Sequence, residues 1–134
     1  MTCVTTVNDA DLQVARSWWA NLCGQVPVDV RGLWFGLTDL VVAGEIQRTL
    51  YVAGCPTFDT DDKGGDWATE YNWWPQDCYV SLPGLAGLGD LDALQYAVAV
   101  VTRLRPQDDV GVTGVGVGFD DGDVVLTWPP PNAA

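Results

Sequence analysis

The 134 residues carry eighteen carboxylates against six basic side chains and contain no histidine, for a net charge of −12. Such a field attracts cationic partners and repels nucleic acid and anionic lipid, and the missing histidine removes the commonest general base. With 48% apolar residues and fourteen aromatic side chains, seven of them Trp, the acidity belongs to a folded surface.

Met1-Thr2-Cys3-Val4-Thr5 has neither the basic start nor the long apolar stretch of a signal peptide, so the expected location is cytoplasmic and reducing. Cys3, Cys23, Cys55 and Cys78 contain no CxxC pair and read as small buried apolar side chains without a metal. Asn8 or Asp9 can cap a first helix to about Cys23, with Leu12, Ala15, Trp19 and Leu22 recurring at helical steps and Gly24 as the stop. Trp19 and Trp18 lie about 100° apart, which puts one in the core and its neighbour at the rim.

Two extended runs follow, Gly32 to Val42 and Ile46 to Ala53, joined by Ala43-Gly44-Glu45 as an antiparallel hairpin, with a helix over Leu37 to Val42 as the alternative. On the second run Gln47, Thr49, Tyr51 and Ala53 share one face, which is polar and aromatic. Asp39 and Glu45 interrupt the richest apolar stretch, so no membrane span is expected.

Residues 55 to 82 are the least regular. They read as a long loop and then a short strand at Cys78 to Leu82, with Phe58, Trp67, Tyr71, Trp73, Trp74 and Tyr79 supplying mass to pack. After a turn, Asp90 or Asp92 opens a second helix to about Leu104 with Leu91, Leu94, Ala97, Val98, Val101 and Leu104 as its apolar stripe. Arg103 and Arg105 face its carbonyl end, and Pro106 stops it. A final hairpin runs through Val110, Val112, Val115 and Val117, turns at Asp120-Asp121-Gly122-Asp123, and returns through Val124, Val125, Leu126 and Trp128. The sum is one α+β domain over residues 1–128 and a Pro-rich tail over 129–134. Its order is α-β-β-loop-β-α-β-β, with a mostly antiparallel sheet and both helices on one face.

These elements bear on three kinds of chemistry. Asp59-Thr60-Asp61-Asp62-Lys63-Gly64 with Glu70 shares several calcium-loop positions, but Lys63 stands where a ligand belongs and Asp66 where an apolar residue belongs. The stretch therefore reads as an acidic turn or a partner-binding edge, with no metal or other cofactor assigned. Nucleophilic catalysis lacks a base, and no phosphate loop is present, since Gly114-Val115-Gly116-Val117-Gly118 lacks a helix start. Those glycines relieve crowding in a strand or let an aromatic ring pack close. Asp66 and Glu70 with Trp67, Trp73 and Trp74 leave a carbohydrate-binding or glycosidase-like alternative.

Carboxylates set among aromatic anchors suit a non-enzymatic inhibitor of a basic protein, the anchors giving affinity and the charge giving encounter rate. The expected contacts are Asp59, Asp61, Asp62, Asp66, Trp67 and Glu70, with Asp120, Asp121 and Asp123 as a second edge. A homodimer or larger oligomer, formed through the aromatic surface, is the alternative partner.

Size, element order, Gly65-Asp66-Trp67, Trp74-Pro75-x-x-Cys78-Tyr79 and the Gly118-Phe119-Asp120-Asp121-Gly122-Asp123 hairpin together resemble the small acidic immunity or immunity-like proteins of bacterial polymorphic toxin systems. The resemblance implies a protein that binds and neutralises a basic toxin or nuclease domain and carries out no reaction of its own. The high Ala, Val, Gly and Asp content, with five Arg to a single Lys, accords with a GC-rich bacterial genome.

Overall fold

Asn8 begins the ordered architecture by accepting the Ala10 backbone N–H at 2.8 Å on its side-chain oxygen, which caps α1 (Asp9–Leu22). The computed structural model describes residues 6–59, 66–120 and 124–129. Beyond α1 come β1 (Gly32–Val42), β2 (Glu45–Cys55), β3 (Tyr79–Val80), α2 (Asp90–Leu104), β4 (Gly114–Phe119) and β5 (Val125–Trp128). The expected α+β order is therefore present.

The five strands form one mixed sheet in the order β3-β2-β1-β4-β5. Three pairings are antiparallel, and the fourth, β1 with β4, is parallel and sets Gly32 opposite Gly114. Residues Ala43 and Gly44 turn the first hairpin with φ of 52° and 83°. Both angles are positive, as a two-residue turn matched to strand twist requires.

Alternation along each strand separates two faces. Leu33, Phe35, Leu37, Leu50, Val52, Val115 and Val117 point to the side where α1 and α2 pack, forming the larger core with Leu12, Ala15, Trp19, Ala97, Val100 and Val101. Trp18 and Trp19 hold Phe35 edge to face at 6.2 and 5.9 Å, with Trp19 buried and Trp18 at the rim. Asp11, buried and without an ion pair among the described residues, accepts the Gly84 N–H at 2.8 Å and the Tyr96 O–H at 2.6 Å, so it ties α1 to α2 and to the turn before it.

Three details differ from the sequence expectation. The buried stripe of α2 is Ala93, Tyr96, Ala97, Val100, Val101 and Leu104, while Leu91 is 66% exposed. The helix turns so that Tyr96 reaches Asp11, and the small Ala93 and Ala97 allow close packing. Arg105 adopts a left-handed conformation at the helix end and pairs with Asp108 at 2.6 Å. Val110 and Val112 precede β4 instead of joining it, because Thr113 is tied through its backbone N–H and its hydroxyl to the Arg31 carbonyl at 2.7 and 3.0 Å. No helix among the described residues is long and apolar enough to cross a membrane.

Candidate functional site

The face of the sheet away from the helices is floored by glycine. A Cβ on Gly32 would come within 2.7 Å of the Trp67 ring, one on Gly114 would overlap the Phe58 ring, and one on Gly116 would meet both Val124 and Trp67. The Gly-Val-Gly-Val-Gly run thus gives its valines to the helix side and its bare backbone to aromatic rings. Phe58 and Trp67 lie over this floor edge to face, 4.8 Å apart. With Trp34, Tyr51, Cys55 and Ala68 they make a second, smaller core.

Trp67 was expected to be a docking anchor, and the structure corrects this. It sits in a short 3-10 turn, Asp66–Thr69, and is only 4% exposed, because the glycines beneath let it sink onto the backbone. Its indole N–H is buried with no acceptor among the described residues.

Tyr51, 3% exposed, lies flat against Gly36, where any Cβ would overlap its ring. Its hydroxyl accepts the Trp34 indole N–H at 2.9 Å and donates to the Asp120 carboxylate. Burial first, and then Asp120, push the Tyr51 phenol far above its ordinary pKa, so it remains a donor. Three exposed rings are built around it. Trp74 stands 5.3 Å from Tyr51 and Tyr79 stands 6.0 Å from it, while Tyr71 lies 5.3 Å and Tyr79 6.4 Å from Trp74. Tyr71, Trp74 and Tyr79 are 43, 48 and 43% exposed. Burial raises the pKa of both tyrosines, and the Asp120 charge adds to the rise.

Local chemistry explains how a loop places these rings. Gly54 donates to the Trp73 carbonyl at 2.8 Å and accepts the Asn72 N–H at 2.9 Å, so residues 72 and 73 run along the edge of β2. Strand-like alternation then sends Trp73 to the helix-side core and Trp74 to the opposite face. Gly54 can have no side chain there, since a Cβ would lie 2.8 Å from Val30 and 2.9 Å from Trp73. Tyr79 arrives as the direct cross-strand partner of Tyr51.

The chain matches no protein-family model, no curated protein and no solved structure. Its site is therefore read from its own geometry. Of the expected acidic contacts, Asp120 joins the aromatic cluster directly. Asp59, Asp66 and Glu70 are exposed, while Asp61, Asp62, Asp121 and Asp123 lie outside the described residues, as does most of the calcium-like loop. No group of three or more candidate metal ligands occurs among the described residues. Tyr51, Tyr71 and Tyr79 were not singled out as contacts from sequence, and Trp74 only for the carbohydrate alternative. The polar-aromatic face of β2 and the adjacent Trp73-Trp74 pair were the signals that pointed to them.

The arrangement offers stacking surfaces, phenolic hydroxyls and one fixed carboxylate. Cys55, beneath it, is fully buried and its thiol is pushed up to about 12, which suppresses the thiolate at neutral pH. On the other side of the molecule a groove of about 570 Å³ lies between the first hairpin and residues 82–88. Among the described residues its one basic group is Arg48, held by Asp39 at 3.3 Å and Asp90 at 3.0 Å.

Proposed function

We propose that this chain is a non-enzymatic acidic binding protein that neutralises a basic bacterial effector, such as a toxin or nuclease domain, in the cytoplasm of the cell that makes it. The observation that carries the reading is the exposed Tyr71-Trp74-Tyr79 cluster with Asp120 beside it, on a chain of net charge −12. Aromatic anchors on a rigid support are the side chains that dominate protein interfaces, and the surrounding negative field accelerates encounter with a cationic partner. Trp74 rests on Tyr51, which is itself fixed by Trp34 and Asp120, so little conformational freedom is lost on docking.

Co-expression with a basic toxin domain encoded beside the gene tests this. The expected result is restored growth and a stoichiometric complex whose association rate falls steeply between low and physiological salt. A toxin domain that stays lethal and shows no complex overturns the reading.

A second reading, self-association, is favoured by Val41 and Ile46. They are cross-strand partners near the tip of the β1-β2 hairpin, beyond the reach of β3 and β4, and both are largely exposed. Light scattering decides it, a dimer mass that Ile46→Lys reduces to that of a monomer being the supporting result.

A further inference from the structure

We infer that the aromatic cluster is the seat for one arginine side chain of the partner, its guanidinium stacked on the outer face of Trp74 and its N–H edge turned to Asp120. The inference rests on the binding reading of this face and adds what the face recognises. Its first support is the spacing of the rings. Centroids 5.3 to 6.4 Å apart are rings in direct contact, so the cluster is filled and leaves no box in which a rounded ammonium could be enclosed. A flat cation lying on an outer ring face is the shape such a cluster can take. Guanidinium is planar, weakly hydrated and suited to aromatic faces, whereas a lysine ammonium is compact and strongly hydrated.

The second support is the carboxylate. Tyr51 donates to Oδ1 of Asp120, which fixes the group while the residue remains exposed at the strand end. A carboxylate held in this way can accept a charge-assisted hydrogen bond from a guanidinium without first being ordered. Asp120 acts electrostatically on the hydroxyls of Tyr51, Tyr71 and Tyr79, so the negative charge and the ring faces belong to one surface. The fold already uses the same pairing elsewhere. Arg48 lies 5.1 Å over the Phe119 ring while two carboxylates hold its guanidinium, and this is the cation–π contact seen among the described residues.

The test uses short peptides and the full chain. The Trp74 indole N–H signal, assigned by its disappearance in Trp74→Ala, is followed by NMR at physiological salt during titration with N-acetyl-Gly-Arg-Gly-amide. The same peptide with lysine or with uncharged, isosteric citrulline, and a neutral glucan tetrasaccharide, serve as comparisons. Saturable millimolar binding is expected for arginine, several-fold weaker binding for lysine, and no matching shift for citrulline or the glucan. Asp120→Asn keeps an acceptor oxygen for Tyr51 and should weaken arginine binding about tenfold, while Asp92→Asn, equal in charge change at an exposed position on α2, should leave it nearly unaltered.

Citrulline or glucan shifting the signal as strongly as arginine overturns the inference, and so does equal loss in the two Asp variants. Arginine binding that depends on Asp120, without protection against the toxin domain, removes the neutralising role and leaves the arginine seat standing. Protection that is undiminished in Asp120→Asn, with the arginine peptide silent, does the reverse.

Discussion

The two faces of the sheet come from the same strands by alternation, yet they are built on opposite plans. On the helix side, aliphatic side chains with Phe35 and Trp19 fill the space between sheet and helices, and a polar tether, Asp11 with Tyr96, joins the two helices. On the other side the strands withdraw, with Gly32, Gly36, Gly114 and Gly116 replacing side chains by backbone, and large rings descend into the space. The first plan supplies burial. The second brings phenols, indoles and one carboxylate to a surface, with each ring supported from below. Close approach at glycine lets a loop carry a rigid recognition face, where loops otherwise tend to be mobile.

Removing the centre of the helix-side core should separate the two plans most sharply. Phe35→Ala deletes a fully buried ring held by Trp18 and Trp19, and should cost about 3–5 kcal/mol in urea denaturation. A loss below about 1 kcal/mol would show that the helices are not held to the sheet through this side chain. On the opposite face, Gly36→Ala places a methyl group into the Tyr51 ring. The expected destabilisation is smaller, about 1–3 kcal/mol, because the tyrosine can be displaced towards solvent. That displacement breaks its bonds to Trp34 and Asp120, so binding at the Trp74 face should fall further than stability does. Unchanged binding with lowered stability would mean that the exposed rings do not depend on Tyr51.

The same contrast shows which parts of the chain could be read from its residues. The α1 cap at Asn8, the extent of β1 and the start and stop of α2 follow from local signals, and all are present. The glycine run was legible too, since alternating Gly and Val in a strand leaves one face bare, and rings do pack there. The rotation of α2 was not, because Leu91 and Tyr96 compete for burial and only the distant Asp11 decides between them. Nor was the parallel β1-β4 pairing, which joins segments some eighty residues apart and has no local pattern. Within the long loop, Trp67 and Trp74 carry equivalent signals. Their fates are set by Gly116 beneath one and by the Gly54-Trp73 bridge that turns the other outward, and both partners are remote in sequence.

Alkali should distinguish the faces with the smallest perturbation. Cys55 belongs to the aromatic-side core, and burial takes its thiol from 9.0 to about 12. The folded state therefore keeps a proton that the unfolded chain releases above pH 9. Its stabilisation is intact below pH 9 and is lost at ~1.4 kcal/mol per pH unit between 9 and about 12. At pH 10 the loss from this one group is about 1.4 kcal/mol. Tyr51, also raised by burial, adds to it above pH 10. Cys55→Ala should flatten the fall in urea-denaturation stability between pH 8 and 10, whatever the substitution costs at neutral pH. The Trp74 indole signal should report the opening of the aromatic side before the helix-side core yields. If the alanine variant falls as steeply as the parent chain, the alkaline weakness lies elsewhere, and Cys78, a second buried thiol raised by burial, becomes the group to replace next.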